Sequence, residues 1–169
     1  MSKAFTDEEA DEPGPLVRLR APLPAGVANY VTARGLAALQ RELAELGAER
    51  GTAEQIANER ERGRSLGALA RRRAELEERI ATAALVAPPS DRGVVRFGAT
   101  VRVAEADGEH RYRIVGVDEA DAGIGAIAFT SPLARALIGR RVGDIVRVLA
   151  PRRGEELEVL AVEYEEGNA

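Results

Sequence analysis

The chain has 169 residues, which is enough for one domain or two small ones. It carries 24 basic and 28 acidic residues, and this balance argues against a protein that coats nucleic acid by bulk charge. Cysteine is absent and histidine occurs once, so disulfides, thiolate zinc sites and clusters of several histidines are excluded. Aromatic residues make up only 4%, so a large aromatic-lined pocket is not expected.

Residues 1–29 combine five acidic residues with several prolines, including Pro13, Pro15, Pro22 and Pro24. Such a segment buries too little apolar surface to offset the entropy lost on ordering, so we predict a disordered tail. The acidic start lacks the apolar core of a secretory signal, and no apolar run approaches the length of a membrane span. We therefore expect a cytoplasmic protein without membrane association.

Residues 30–87 carry two narrow apolar stripes at helical spacing. The first follows Thr32, a favourable N-cap, and consists of Leu36, Leu39, Leu43 and Leu46. The second consists of Leu66, Leu69, Leu76, Ile80 and Ala83. Two stripes too narrow for a globular core predict an antiparallel coiled-coil hairpin and, because a hairpin is self-contained, a monomer. The turn is predicted between Gly47 and Gly67, in a distal part softened by glycines.

Residues 88–93, which begin Pro88-Pro89, are predicted to form a linker. In residues 94–166 the apolar period becomes two, and strands are predicted at 94–97, 99–103, 111–115, 127–129, 145–148 and 157–164. Ser131 followed by Pro132 predicts a short helix that ends at Gly139. The fold class is therefore α+β: an N-terminal antiparallel coiled-coil hairpin followed by an antiparallel sheet domain with one short helix.

This order of segments resembles the GreA/GreB family of transcription elongation factors. The similarity extends over residues 30–165 and is strongest in Phe97–Val101, Tyr112–Gly116, Asp118–Asp121, Ser131–Gly139, Val142–Asp144 and Glu163-Tyr164. In the first half it rests on Val31-Thr32, Gly35 and the leucine pattern. The resemblance implies an FKBP-like sheet domain, bacterial RNA polymerase as the partner, and a hairpin that enters the polymerase secondary channel.

The hairpin tip departs from the family pattern. Cleavage-stimulating members carry two acidic residues there, in a pattern like Gly-Asp-x-x-Glu-Asn, which help to hold Mg²⁺. By the resemblance, Arg64 and Gly67 stand in their places, and Glu59 and Glu61 are the nearest replacements. Residues 58–73 hold six arginines against these two glutamates, and such a tip repels a metal ion.

We therefore predict a regulator of RNA polymerase without catalytic residues, metal ligands or a cofactor of its own, the Mg²⁺ being held by the polymerase only. It is predicted to modulate elongation or initiation without stimulating transcript cleavage. The channel contacts predicted at the hairpin tip are Glu59, Glu61, Arg62 and Arg64. The resemblance implies a polymerase-docking corner, for which the predicted residues are Ser131, Pro132 and Arg135.

Two alternatives remain open from the sequence. The first alternative is an active cleavage factor that shares Mg²⁺ through Glu59 and Glu61. The second is an interaction module for a partner other than polymerase. The arginines also have two interpretations. They form a solvated helix surface with Arg–Glu pairs, or they contact phosphates such as those at the nascent RNA 3′ end.

Overall fold

The chain folds as a two-helix hairpin joined to a five-stranded sheet with one short helix, which confirms the predicted α+β fold. The computed structural model describes residues 20, 22–149 and 154–165. Most of the predicted tail, residues 1–19 and 21, therefore lies outside the described residues. The end of that tail differs from the prediction, because Asn29 is buried and its side-chain amide donates to the Arg79 carbonyl over 2.8 Å. Asn29 is thus part of the base of the hairpin.

The hairpin consists of α1 (Ala33–Glu54) and α2 (Glu59–Ala81), joined by a turn at residues 55–58. Thr32 caps α1 as predicted, since its side-chain oxygen accepts from the Gly35 backbone N–H over 3.0 Å. Two short strands, β1 (Tyr30–Val31) and β2 (Ala84–Leu85), pair in parallel at the base. The turn lies within the predicted interval.

The two leucine stripes form the contact between the helices. The buried members of this cluster are Val31, Leu39, Leu46 and Leu76. Arg72 of α2 adds ion pairs across the interface, with Glu42 at 2.9 Å and Glu49 at 3.4 Å. An open groove of ≈ 480 Å³ runs beside Gly67 and Ala70, because these small residues leave space between the helices.

The segment that leads into the sheet differs from the prediction. Val94–Phe97, predicted as a strand, makes only one isolated bridge, from Val94 to Arg141. The apolar pattern of this segment has another cause. Val95 is fully buried in the sheet core, while its neighbours along the segment are less buried. Gly98, with φ +82°, then turns the chain into the first long strand, a conformation that favours glycine.

The sheet contains β3 (Ala99–Glu105), β4 (Gly108–Val115), β5 (Ala126–Ala128), β6 (Ile145–Leu149) and β7 (Gly154–Tyr164). Its strand order is β5-β4-β3-β7-β6. All neighbouring strands are antiparallel except β4 and β5, which are parallel, so the prediction of a purely antiparallel sheet was wrong at this edge. The cause lies in the connection, where two 3-10 turns carry the chain back before β5 begins.

One face of the sheet packs against α3 (Pro132–Leu137), which contributes Ala134 and Leu137 to the core. The buried strand residues of this core are Ala99, Val101, Val103, Ile114, Val146, Leu157, Val159 and Tyr164. None of them belongs to the hairpin cluster, so the molecule has two separate apolar cores among its described residues. Within the same residues, no helix combines the length and the apolar character needed to cross a membrane.

Candidate functional site

The hairpin tip is a short, capped turn. The backbone N–H groups of Gln55 and Ile56 bond to the last turn of α1, at 3.1 and 3.2 Å. Asn58 begins α2 as its N-cap, and its side-chain oxygen accepts from the Glu61 N–H over 3.0 Å. Asparagine is among the best N-cap residues, so the local sequence accounts for the place where α2 begins.

Glu59 and Glu61 are both exposed and lie in the first turn of α2. Negative side chains at a helix N-terminus stabilise the helix through its dipole, which gives both residues a structural role. Because they are two residues apart on a helix, their directions differ by about 200° around its axis. The helix therefore directs the two carboxylates away from each other.

The two arginines predicted at the tip have different environments. The guanidinium of Arg62 is half-buried and donates from Nη1 to the Ile56 carbonyl over 3.0 Å, which holds the turn closed. Arg64 is exposed and lies further along α2. Arg64 and Gly67 are thus inside the helix and not at the turn, so the resemblance placed the tip too far along the chain. The tip itself is formed by residues 55–58.

Apart from Arg62 and the buried Arg79, five arginines of α2 divide into two groups. Arg72 pairs with α1, and Arg73 pairs with Glu77 at 2.7 Å, one helical turn away. Both act as the paired surface residues that one interpretation predicted. Arg60, Arg64 and Arg71 are exposed, and their spacings of four and seven residues align them on one face of α2. A positively charged stripe therefore extends from the tip along the hairpin.

The corner at the start of α3 contains the three predicted docking residues. The Ser131 side chain accepts from the Ala134 N–H over 3.2 Å, and Pro132 occupies the first helical position. Pro132 and Arg135 are exposed and Ser131 is half-buried, while Ala134 faces the sheet core. The cap and the core contact fix α3, so the corner is presented on a rigid element.

Three exposed apolar residues on the segment that follows α3 were not predicted as surface residues. They are Ile138, Val142 and Ile145. The sequence gives no signal for Ile145, because strand alternation does not reveal which face of an edge strand is covered, and Ile138 and Val142 lie outside the strands. Asp118 and Glu119 were noted only within a Gre-like segment, yet both contact the hairpin.

One group of side chains in the described residues could hold a metal ion. Glu105, Asp107 and His110 offer ligand atoms within 4.8 Å of one another at the β3–β4 turn. His110 is hydrogen-bonded to Asp107 at 2.9 Å, and the Glu105 carboxylate accepts from the Tyr112 hydroxyl over 2.8 Å. The hydrogen bond between His110 and Asp107 raises the pKa of His110 and lowers the pKa of Asp107. These hydrogen bonds account for the proximity of the three side chains as part of an exposed turn.

Two solved structures are similar to most of the chain, at low identity. The GreA factor homolog 1 (Gfh1) protein of Thermus thermophilus is 19% identical, with a TM-score of 0.39, covering 81% of this chain and 99% of that one. The GreA/GreB elongation factor of Nitrosomonas europaea is 20% identical, with a TM-score of 0.40, covering 82% of this chain and 99% of that one.

The sequence comparisons fall on the second half. Curated transcription elongation factors GreA from Hyphomonas neptunium and Xanthomonas campestris are 53% identical over 72 residues and 56% identical over 70 residues. These matches cover 41% and 40% of this chain, and 46% and 44% of the relatives, so the chain spans just under half of their length. The family model for the C-terminal part of the transcription elongation factor GreA/GreB matches residues 89–164. Residues 89–164 of this chain are therefore a C-terminal domain of the GreA/GreB type.

Proposed function

We propose that this protein binds bacterial RNA polymerase, inserts its hairpin into the secondary channel and modulates elongation or initiation without stimulating transcript cleavage. The GreA/GreB domain supports polymerase as the partner. The observation that carries the regulatory part is the start of α2 beside the tip, where Glu59 and Glu61 point to different sides of the helix among Arg60, Arg62 and Arg64.

The dimensions of the hairpin are compatible with this role. The 22 residues of α1 correspond to a rod of about 33 Å, at 1.5 Å per residue. Its helices are held together by the buried leucines and by the Arg72 ion pairs, so the rod resists bending. A rod of this length favours a role inside a channel over the alternative of an interaction module for another partner.

The charges around Glu59 and Glu61 are unfavourable for a shared Mg²⁺. This hard cation requires several oxygen ligands that converge on one point. Glu59 and Glu61 diverge around the helix, and each neighbouring arginine adds an unfavourable interaction with the cation. The only Mg²⁺ in the proposed complex is the one held by the polymerase, and the protein acts by occupying the channel.

A cleavage assay tests the regulatory proposal. Backtracked elongation complexes are mixed with the protein and Mg²⁺, and short 3′ RNA fragments are followed on a gel, with a cleavage-stimulating GreA as positive control. We expect fragment release no faster than the intrinsic rate of the polymerase. Rapid cleavage that disappears in Glu59→Ala or Glu61→Ala would instead establish the alternative, an active cleavage factor.

We further propose that Ser131, Pro132 and Arg135 form the corner that docks on the polymerase. Arg135→Glu is expected to weaken binding to core polymerase at least about tenfold, because charged contacts at an interface core are costly to reverse. Arg92→Glu makes the same charge change at another exposed position and serves as the matched control. Equal affinity of both variants and the parent contradicts this docking site. No binding by any of the three proteins indicates a different partner.

The exposed stripe of Arg60, Arg64 and Arg71 is proposed to contact the phosphates of nascent RNA near its 3′ end. Replacing all three with Gln is expected to reduce crosslinking from a photoreactive 3′-terminal nucleotide to the hairpin while binding to core polymerase is retained. Replacing Arg73, whose guanidinium is paired with Glu77, is the matched control. Crosslinking that is unchanged in the triple variant contradicts the contact.

A further inference from the structure

The carboxylate of Glu119, in the sheet domain, bonds directly to the N-cap residue of the hairpin, Thr32. Glu119 lies in a 3-10 turn of the sheet domain, between β4 and β5. Its Oε1 accepts from the Thr32 backbone N–H over 2.9 Å, and its Oε2 accepts from the Thr32 hydroxyl. The same Oε1 also accepts from the Gly116 N–H at 3.3 Å. One side chain therefore joins the N-cap of α1 to the turn that carries it.

The surroundings of this carboxylate leave no space for other side chains. A Cβ atom on Gly35 would lie 2.0 Å from the Glu119 Cδ, and one on Gly116 would lie 2.4 Å from the Tyr30 carbonyl oxygen. Both glycines have ordinary backbone angles, so neither is required by a positive φ. They are required by the close approach of the hairpin and the sheet domain. The Glu119 carboxylate also lies at the N-terminal, positive end of α1, where a negative group is favoured.

The second helix of the hairpin is attached to the neighbouring residue. Asp118, whose side chain is only 5% exposed, lies 3.8 Å from Arg79 near the end of α2 and 3.2 Å from Arg20. Both helices are thus tied to two consecutive residues of one short turn. On the other side of β1, the ring of Tyr30 contacts Phe129 at 5.4 Å and Phe97 at 5.9 Å between ring centres.

We infer that Glu119 is the positioning residue that sets the direction of the hairpin relative to the sheet domain. It belongs to neither apolar core, and its bonds join one part to the other. A rod of about 33 Å magnifies any rotation at its base, so a tilt of about 10° moves the tip by about 6 Å. Without the carboxylate, the aromatic contact and the Asp118 pairs remain, and the hairpin samples a range of directions.

Distances measured in the isolated protein test this inference without polymerase. The chain has no cysteine, so spin labels can be placed at Gln55→Cys in the tip and Glu109→Cys at the end of the sheet. Pulsed electron spin resonance then gives the distribution of distances between the labels. The parent is expected to show one narrow distribution. Glu119→Ala is expected to broaden it and shift it by several ångströms.

Gly35→Ala provides the decisive variant, because it keeps Glu119 in the chain and removes only its place beside α1. It is expected to broaden the distribution as Glu119→Ala does. Gly47→Ala is the matched control, since it adds the same methyl group to α1 where nothing lies within 4 Å, and its distribution is expected to match the parent. Glu119→Gln retains one carbonyl acceptor for the Thr32 N–H and is expected to be intermediate.

Two results overturn the inference. The first is a distribution as narrow in Glu119→Ala and Gly35→Ala as in the parent. The second is loss of helical circular dichroism in both Glu119→Ala and Glu119→Gln, because the residue then serves folding and not direction. Neither result depends on whether the protein binds polymerase, so failure of the inference and failure of the proposed function are distinguished.

Discussion

Leu76→Ala is expected to reduce the free energy of unfolding of the hairpin by about 2–5 kcal/mol, the range found for buried leucines. Leu76 is fully buried on α2 and packs with Val31, Leu39 and Leu46. The cost is expected in the upper part of this range for two reasons. Leu76 is completely inaccessible to solvent. In addition, the leucines of α1 that surround it are held on a rigid helix and cannot move in to fill the cavity.

Urea unfolding followed by circular dichroism at 222 nm measures this change. Leu85→Ala is the matched control, because Leu85 is 58% exposed and its truncation is expected to change stability by less than about 0.5 kcal/mol. Since the hairpin and sheet cores share no residue, hydrogen exchange of the β3 and β7 amides is expected to remain slow in Leu76→Ala. Equal stability of the two variants contradicts the packing described above.

Tyr164→Phe is expected to reduce the free energy of unfolding by about 1–3 kcal/mol, the cost of leaving buried polar groups without a partner. The Tyr164 hydroxyl donates to the Val94 carbonyl and accepts from the Arg96 N–H over 2.9 Å. These bonds attach the segment before β3 to the end of β7. Phenylalanine keeps the ring and its packing, so the loss measures the hydroxyl alone.

The same residue predicts a pH dependence. Burial raises the pKa of Tyr164 above its ordinary value near 10. The folded state therefore holds the hydroxyl proton more tightly than the unfolded state. This contribution to stability is complete below about pH 10 and is lost as the pH rises through the folded pKa. Chemical unfolding at a series of pH values is expected to show a smaller alkaline loss of stability in Tyr164→Phe than in the parent. Equal losses contradict the assignment.

Local sequence was sufficient for the elements whose signal is periodic or lies in a cap. The leucines of α1 and α2 recur at helical spacing and form the hairpin contact. Thr32 and Ser131 cap the helices that follow them, with Pro132 at the first position of α3. Each of these signals depends on neighbours within one or two turns, which is why the sequence alone reveals them.

The hairpin turn shows why local signals are incomplete. The resemblance placed Arg64 and Gly67 at the tip, whereas α2 continues through Gly63 and Gly67, with Gly63 in open space. A glycine in a helix costs only about 1 kcal/mol relative to alanine, and packing of α2 against α1 outweighs this. Asn58 begins the helix earlier, and this shift moved Arg64 away from the tip. The two glutamates of the predicted site remained next to the turn.

By itself the sequence determined that a two-helix rod precedes a sheet with one capped helix, and that residues 58–73 of the rod are strongly basic. Only the tertiary structure decided that β5 runs parallel to β4, that Val94–Phe97 is not a strand, and that Glu119 meets Thr32. The physical reason is the distance along the chain. Periodicity and capping act over a few residues, whereas Glu119 and Thr32 are 87 residues apart and are joined only when both parts have folded.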